Sequence, residues 1–207
     1  MSSDRGRNWL RENGDLFAFH RDERLMLAGE PPHDVLLVWD GLLKIVLPHV
    51  EGGQPVAGLS GHDDLLGETG VINDLPRSAS VVALGPGHAW RLRAAAFRAG
   101  YAESDDVRQL VNETYRRRQE HADHRQLALG HEVPQRLRMM LLHWASRFGR
   151  TTSAGLEVRG LTQTDIASAI SSSPKHVEAT LRAMRESGVL RTGRRWYAIP
   201  DPDRFLG

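Results

Sequence analysis

Hydrophobic and polar positions alternate over short distances in the first half of the chain. From about residue 15 to residue 92, apolar runs rich in Val, Leu and Ile are interrupted by Gly, Pro, Asp or Asn. The stretch DVLLVWDGLLKIV contains two such runs that meet at Asp40 and Gly41, a dipeptide typical of a hairpin turn. The runs SASVVAL and HAWRLR flank a Gly-Pro-Gly in the same half. Several short strands at this spacing predict a β-sandwich or β-barrel.

The pattern becomes helical near Ala94, after which helix-breaking residues almost disappear until about Arg147. One long helix is predicted between Ser104, its N-cap, and Gly130, its stop signal. Alternating steps of four and three residues run through this helix, a spacing typical of coiled coils. We interpret them as a dimer seam with a polar middle, and a long solvated helix is the alternative. The positions concerned are 107, 111, 114, 118, 121, 125 and 128.

The rest of the chain predicts a second helix and then a helix-turn-helix. VPQRLRMMLLHWASRF has Pro134 in its first turn, and GRTTSAG after it reads as a turn or linker. Thr162 can cap a short helix, SSS supplies a turn, and Pro174 opens another helix that ends at Gly188. VLRTGRRWYAIP then predicts a β-hairpin with Gly193 at its tip. Together these elements form the pattern of a winged helix-turn-helix.

Composition restricts the classes of function. The 207 residues carry a net charge of only +1, so a nucleic-acid surface must be local. From Arg159 onward the chain has eight Lys or Arg and five Asp or Glu. This excess of positive charge favours the last segment as the nucleic-acid surface. The absence of cysteine excludes disulfides, thiolate catalysis, thiolate zinc sites and cysteine-ligated iron–sulfur clusters. Without a signal peptide or a membrane-length apolar run, we expect a soluble, cytoplasmic protein with no membrane partner.

One short stretch, LGETGVINDLPRSAS, suggests a binding site. It places Glu68 nine positions ahead of Arg77, with turn-forming residues between them. The Arg77 guanidinium could bind a phosphate through two charge-assisted hydrogen bonds, with the Ser78 hydroxyl as a further donor. Glu68 could accept from a sugar hydroxyl. The residues alone leave two interpretations open, which are a pocket for a phosphorylated sugar and a structural salt bridge that closes a loop.

A family resemblance covers roughly residues 15–200. LLGETGVINDLPRSAS resembles the phosphate-binding cassette of cyclic-nucleotide-binding domains, and GLTQTDIASAI…HVEATLRAMRESGVL resembles the terminal helix-turn-helix of Crp/Fnr-type transcription regulators. The resemblance implies an α+β fold in three parts. These are a cyclic-nucleotide-binding β-roll over residues 1–102, a long dimerisation helix over 103–130, and a winged helix-turn-helix DNA-binding domain over 131–207.

The resemblance also implies an effector site. Carried over by position, Gly67, Glu68, Arg77 and Ser78 match the phosphate and ribose contacts of a cyclic nucleotide, cyclic AMP or cyclic GMP. His121 falls where cyclic-AMP-responsive members place hydroxyl residues that hold the base, and it could donate to a ring nitrogen. No metal is expected at this site.

The implied partner is double-stranded DNA with a palindromic operator, bound by a homodimer, with RNA polymerase as a further candidate partner. The recognition helix departs from the family pattern Arg-Glu-x-Val-x-Arg, because the matching residues are PKHVEA and both arginines are absent. We therefore expect an unusual operator. The expected DNA contacts are Thr162, Gln163, Thr164, Ser173, Pro174, Lys175, His176, Ala179, Arg182, Arg194 and Arg195.

Two other functions compete with an effector-controlled regulator. One is a constitutive DNA-binding regulator with a vestigial pocket. The other is a nucleotide-binding signalling module that docks a protein partner instead of DNA. A haem-based gas sensor needs only a histidine or terminal amine as ligand, but none of the ten histidines has a diagnostic context. An enzyme finds little support, since no metal-ligand spacing or nucleophile–base pattern accompanies the scattered Asp and His residues.

Overall fold

The computed structural model describes residues 2–48 and 55–206, which form two compact units. The first unit ends at residue 120 and the second begins at residue 121, while residues 55–58 group with the second. No helix within the described residues is both long enough and apolar enough to cross a membrane.

The strands of the first half form a β-roll with flanking helices, as the family resemblance implies. In chain order the elements are α1 (Ser2–Asn13), β1 (Asp15–Phe19), β2 (Arg24–Met26), β3 (Asp34–Asp40), β4 (Leu43–Val46), β5 (Val56–Ser60), β6 (Leu65–Leu66), α2 (Glu68–Asn73), β7 (Ser80–Ala83), β8 (Gly87–Arg93), α3 (Ala94–Glu103) and α4 (Asp105–Leu129). The strands form two four-stranded antiparallel sheets with the orders β1-β8-β3-β6 and β2-β7-β4-β5.

Strand β3 is apolar throughout its middle because both of its faces are buried. Val35 and Leu37 belong to a cluster that also contains residues of α1, α3 and α4. Leu36 and Val38 point to the opposite face and belong to a second cluster, with residues of β4, β7 and β8. Successive side chains of a strand alternate between faces, so one run of four apolar residues supplies two cores.

The predicted hairpin at Asp40 and Gly41 is wrong. Strand β3 pairs with β8 and β6, whereas β4 pairs with β7 in the other sheet. Gly41 has φ +89°, and a Cβ there would lie 2.9 Å from the Phe19 ring. The glycine therefore lets the chain cross from one sheet to the other. Local sequence identifies the turn but not the strands that pair, because pairing depends on distant segments.

The N-terminal helix α1 packs on the β-roll through a buried arginine that the sequence pattern did not single out. Arg7 is 3% exposed, and its guanidinium contacts Glu113 of α4 at 3.0 Å. Its Nε donates to the Asp63 carbonyl at 3.2 Å. This ion pair and this hydrogen bond, with Leu10 in the core, fix α1 within the first unit.

Helix α4 is the predicted long helix, but the predicted seam faces its own chain. The helix begins after Ser104, whose Oγ accepts from the Val107 N–H at 3.4 Å. Val107 and Val111 are fully buried in the first unit, and Ala128 is also buried. The seam prediction is wrong because a period of four and three residues does not reveal which partner covers it. A second row has the same spacing, is exposed and carries no charge, and consists of Asn112, Tyr115, Gln119, Ala122, Gln126 and Leu129.

The second unit has the winged helix-turn-helix arrangement that the pattern predicts. Its elements after α4 are α5 (Val133–Phe148), β9 (Arg150–Thr152), β10 (Gly155–Arg159), α6 (Gln163–Ala169), α7 (Pro174–Glu186), β11 (Arg191–Gly193), β12 (Trp196–Ile199) and α8 (Pro202–Phe205). The four strands form one sheet with the order β11-β12-β10-β9.

Two local predictions in the second unit are corrected. GRTTSAG contains a turn at Ser153 and Ala154, one of the two predicted alternatives, but it is not a linker, because Arg150–Thr152 form β9, which pairs with β10. The wing turns at Arg194 and Arg195 rather than at Gly193, which pairs with Trp196 across the hairpin. Arg195 takes φ +59°, so an arginine occupies the left-handed turn position.

Candidate functional site

The cassette is a helical turn rather than an open loop. Strand β6 leads to Gly67, whose φ of +84° starts α2, and Asp74 ends that helix with φ +52°. A Cβ at residue 67 would overlap the Arg77 guanidinium, so only glycine fits this approach. The Leu75 N–H donates to the Gly70 carbonyl at 3.0 Å, which turns the chain back toward Arg77. The tight return predicted from Asn, Asp and Pro is therefore present in helical form.

The Arg77 side chain is buried, and both of its terminal nitrogens donate to groups of its own chain. Its Nη1 donates to the Gly67 carbonyl at 2.8 Å. Its Nη2 donates both to the Asp34 carbonyl at 2.5 Å and to Asp34 Oδ1 at 2.8 Å. Burial lowers the pKa of Arg77, while the carboxylates of Asp34, Glu68 and Glu30 act in the opposite direction.

Asp34, the first residue of β3, holds two guanidinium groups. Its Oδ1 accepts from Arg77, and its Oδ2 lies 3.2 Å from Nε of Arg91 on β8. The Arg77 backbone is fixed as well, since its N–H donates to the Glu30 carbonyl at 2.9 Å. Arg77 is thus held at both its main chain and its side chain. Its ion-pair partner is Asp34 and not Glu68, so Arg77 forms a structural salt bridge, but with a different partner from the one the sequence suggested.

Glu68 is fully buried and is paired with the long helix. Arg118 donates from Nη1 to Glu68 Oε1 at 2.7 Å and from Nη2 to Oε2 at 3.0 Å. The second nitrogen also donates to the Leu65 carbonyl at 3.0 Å. The Thr69 hydroxyl donates to Glu68 Oε1 at 2.9 Å. Sequence reasoning placed Arg118 in the dimer seam and gave Thr69 no role, and the seam spacing was the only signal that marked position 118.

The structure brings together three of the five predicted effector contacts. Gly67, Glu68 and Arg77 lie in one cluster, whereas the neighbouring Ser78 is exposed. His121 belongs to the second unit, where its ring lies 4.8 Å from the His143 ring.

His121 is part of a histidine cluster between α4 and α5. The His143 ring stacks on His124 at 4.4 Å, and Phe148 lies 6.0 Å from the His121 ring. Burial and the nearby His121, His124 and Arg147 lower the pKa of His143 to about 4. Among the described residues, no group of three or more His, Asp or Glu side chains is arranged to hold a metal ion.

The helix-turn-helix is fixed at both helix starts by its own side chains. Thr162 Oγ1 accepts from the Asp165 N–H at 3.0 Å, and Asp165 Oδ2 accepts from the Thr162 N–H at 2.9 Å, which is a capping box. Ser173 Oγ accepts from the His176 N–H at 3.2 Å and caps α7. The predicted cap at Thr162 is confirmed, and Ser173, which the sequence pattern assigned to the turn, is a second cap. Thr162 is half-buried, and its hydroxyl is committed largely to Asp165.

Helix α7 buries one face and exposes the other. Val177, Leu181 and Met184 are buried, as predicted. Arg185 Nη1 donates to Thr192 Oγ1 at 3.2 Å, which ties α7 to the wing strand β11. Of the predicted DNA contacts, Gln163 is half-buried and Thr164 is exposed. The exposed set on and beside α7 is Ser173, Pro174, Lys175, His176, Ala179 and Arg182, and Arg194 is exposed on the wing, next to the half-buried Arg195.

Two family models match the two parts of the chain. A model described as "Cyclic nucleotide-binding domain" matches residues 16–104, and a model described as "Crp-like helix-turn-helix domain" matches residues 135–206. They cover the β-roll and the winged unit in the order expected from the sequence.

Individual relatives agree with these matches. A "CRP-like cAMP-activated global transcriptional regulator" from Mycobacterium tuberculosis is 26% identical over 189 residues, covering 90% of this chain and 84% of the relative. FixK2 from Bradyrhizobium japonicum is similar in structure, with a TM-score of 0.78 at 17% identity, over 93% of this chain and 95% of that one. A CRP-family transcriptional regulator from Thermus thermophilus has a TM-score of 0.77 at 20% identity, over 92% and 96%. The two structural likenesses describe the fold alone.

Proposed function

Since the chain belongs to the Crp/Fnr family of transcription regulators, we propose that it binds a palindromic operator as a homodimer. The family membership rests on both matched domains and on their order in the chain. It also means that the chain is a transcription regulator with a cyclic-nucleotide-binding domain and a helix-turn-helix, and not an enzyme.

The exposed face of α7 is the observation that carries this proposal. Lys175, His176 and Arg182 are exposed on a helix whose opposite face is fully packed. Such a helix can enter the major groove, where lysine and arginine read guanine edges. Arg194 and Arg195 at the wing turn are suited to phosphates, which fix the register without reading sequence.

The dimer is proposed to form through the exposed row of α4. That row, from Asn112 to Leu129, has coiled-coil spacing and no charged member. Two copies related by a two-fold axis would pair these rows and present two copies of α7. Half-sites about one helical turn apart would follow from this symmetry.

Selection from random DNA duplexes tests the function. We expect enrichment of a palindrome by the wild-type chain. Lys175→Ala should weaken binding to the selected site by about 5- to 100-fold, the range for loss of one base contact. Arg194→Ala should weaken binding to all duplexes and reduce the salt dependence by about one charge.

Arg204→Ala serves as the matched control, because it removes one positive charge from the exposed surface of α8 in the same unit. Binding close to wild type is expected for this variant. If no palindrome is enriched and all three variants bind alike, the operator function is excluded and docking to a protein partner is favoured. RNA polymerase is a further candidate partner, to be added as purified holoenzyme on the selected site.

Two candidates remain for control by an effector. In the first, a cyclic nucleotide in the β-roll changes operator affinity, and the name of the mycobacterial relative makes cyclic AMP the first compound to test. In the second, the regulator is constitutive. One observation favours the second candidate, since Arg77 and Glu68 already have charged partners within their own chain. Operator affinity measured with and without cyclic AMP or cyclic GMP separates the two.

A further inference from the structure

We propose that Asp34 acts as an internal anion in place of an effector phosphate at Arg77, so that the wild-type cassette excludes cyclic nucleotides. The inference rests on the proposed function and deepens it, because it assigns the constitutive behaviour to one carboxylate. Nothing in the sequence pattern singled out Asp34, which lies 43 positions before Arg77.

The hydrogen bonds of Arg77 carry the first step. A guanidinium binds a phosphate best through two neighbouring N–H donors. Here Nη2 donates twice to Asp34, to its carbonyl and to its Oδ1, and Nη1 donates to the Gly67 carbonyl. A phosphate could use this fork only by displacing the Asp34 carboxylate. That carboxylate is itself anchored by Arg91 at 3.2 Å.

The local charge balance carries the second step. The carboxylates of Asp34, Glu68 and Glu30 act on Arg77. Three arginines face these acids, because Arg91 pairs with Asp34 and Arg118 pairs with Glu68. The cluster is therefore close to neutral without any ligand. A phosphodiester would add one uncompensated negative charge to a half-buried site, which is unfavourable.

The sugar side of the cassette is partly occupied as well. Glu68 has no exposed surface, and both of its oxygens accept from Arg118. Oε1 also accepts from the Thr69 hydroxyl, so a ribose hydroxyl would have to use the second lone pair of Oε2 on a fully buried carboxylate. The phosphate contact at Arg77 is therefore the one that an internal anion occupies, and removal of Asp34 alone should reopen it.

Isothermal titration calorimetry with cyclic AMP and cyclic GMP tests the assignment on the full-length protein. The wild-type chain should show no saturable binding up to about 1 mM ligand. Asp34→Ala should gain saturable binding, at least tenfold tighter than the wild-type limit. Asp34→Asn should gain less, because its amide oxygen can still accept from Arg77 while the negative charge is gone.

Two further variants make the result specific. Asp40→Ala removes a carboxylate from the other end of β3, where it is exposed and pairs with His88, and it should behave like the wild type. Asp34→Ala with Arg77→Ala should lose the gained binding. Circular dichroism reports whether each variant is folded, and Asp34→Asn serves the test if the alanine variant unfolds.

The inference is overturned if the wild-type chain binds either nucleotide at micromolar concentration, or if folded Asp34 variants gain nothing. These failures differ from failure of the proposed function, which is decided by duplex selection without nucleotide. A variant that gains nucleotide binding on a chain that selects no operator would keep the assignment of Asp34 and remove the regulator function.

Discussion

At the residue scale, the most consequential feature is a pair of charged groups that lie far apart in sequence. Glu68 is fully buried, yet Arg118 that neutralises it is 44% exposed and reaches in from α4. Removing one member of such a pair leaves the other charge without compensation. This destabilises the fold more than replacing both members by apolar residues would. The cassette therefore depends on α4 for its stability as well as for its geometry.

We predict that Arg118→Ala lowers the free energy of unfolding by about 2–3 kcal/mol, since it leaves the buried Glu68 carboxylate with Thr69 as its remaining side-chain partner. Urea unfolding followed by circular dichroism measures this loss. Arg116→Ala is the control, because Arg116 pairs with Glu120 on the exposed side of the same helix. Its loss should be about 0.5 kcal/mol or less. Equal losses in the two variants would contradict the role given to Arg118.

The histidine cluster gives a pH dependence. His143 has its pKa lowered from 6.5 to about 4, so the unfolded chain binds the proton more tightly than the folded chain. The stabilisation is present above pH 6.5 and is lost as pH falls toward 4, by at most about 3 kcal/mol. His143→Phe keeps a ring in place and should flatten this part of the profile. His131→Gln, a change at an exposed residue, should leave the slope as in the wild type.

At the element scale, the start of α6 depends on two side chains that satisfy each other's main chain. We expect Thr162→Ala to lower the stability of the second unit by about 1 kcal/mol, because the Asp165 N–H loses its acceptor. The change is read from urea unfolding that monitors tryptophan fluorescence. Thr164→Ala, in the exposed first turn of the same helix, should change stability by less than about 0.5 kcal/mol. Indistinguishable midpoints would show that the cap does not stabilise the unit.

The two rows of α4 show that the spacing of residues along a helix does not reveal which partner those residues contact. Both rows have steps of three and four residues, but one contains Val107 and Val111 and packs on its own chain. The other contains Tyr115 and Ala122 and is exposed. The more apolar row packs on the core of its own chain, and the exposed row is the one through which we propose that the dimer forms.

At the scale of the whole molecule, the dimer should depend on the exposed row. Ala122→Arg places a charge at the middle of that row, where the same residue from a second copy would face it, and we expect monomers in sedimentation velocity. Operator affinity should fall at least tenfold, because a monomer contacts only one half-site. Glu103→Arg, an exposed change at the end of α3, should leave the dimer intact. A monomeric wild-type chain that still binds a palindrome would contradict this interface.

The order of the elements and the residues that define them follow from local patterns in the amino-acid sequence. The β-rich first half, the long helix, the caps at Thr162 and Ser173 and the wing hairpin all follow from neighbours a few positions apart. The cassette motif likewise brought Gly67, Glu68 and Arg77 to one place, because a short helical turn joins them.

The partners of those cassette residues within the chain follow from the three-dimensional packing and not from any local pattern. Asp34 lies 43 positions from Arg77, and Arg118 lies 50 positions from Glu68. No periodicity or turn signal relates charges at such separations, since their meeting depends on how β3 and α4 pack around the cassette. The same reason explains why strand partners at Gly41 and the buried row of α4 escaped prediction. Residues close together in sequence determine the helices, strands and caps. The packing of distant segments determines which charged groups and which strands pair.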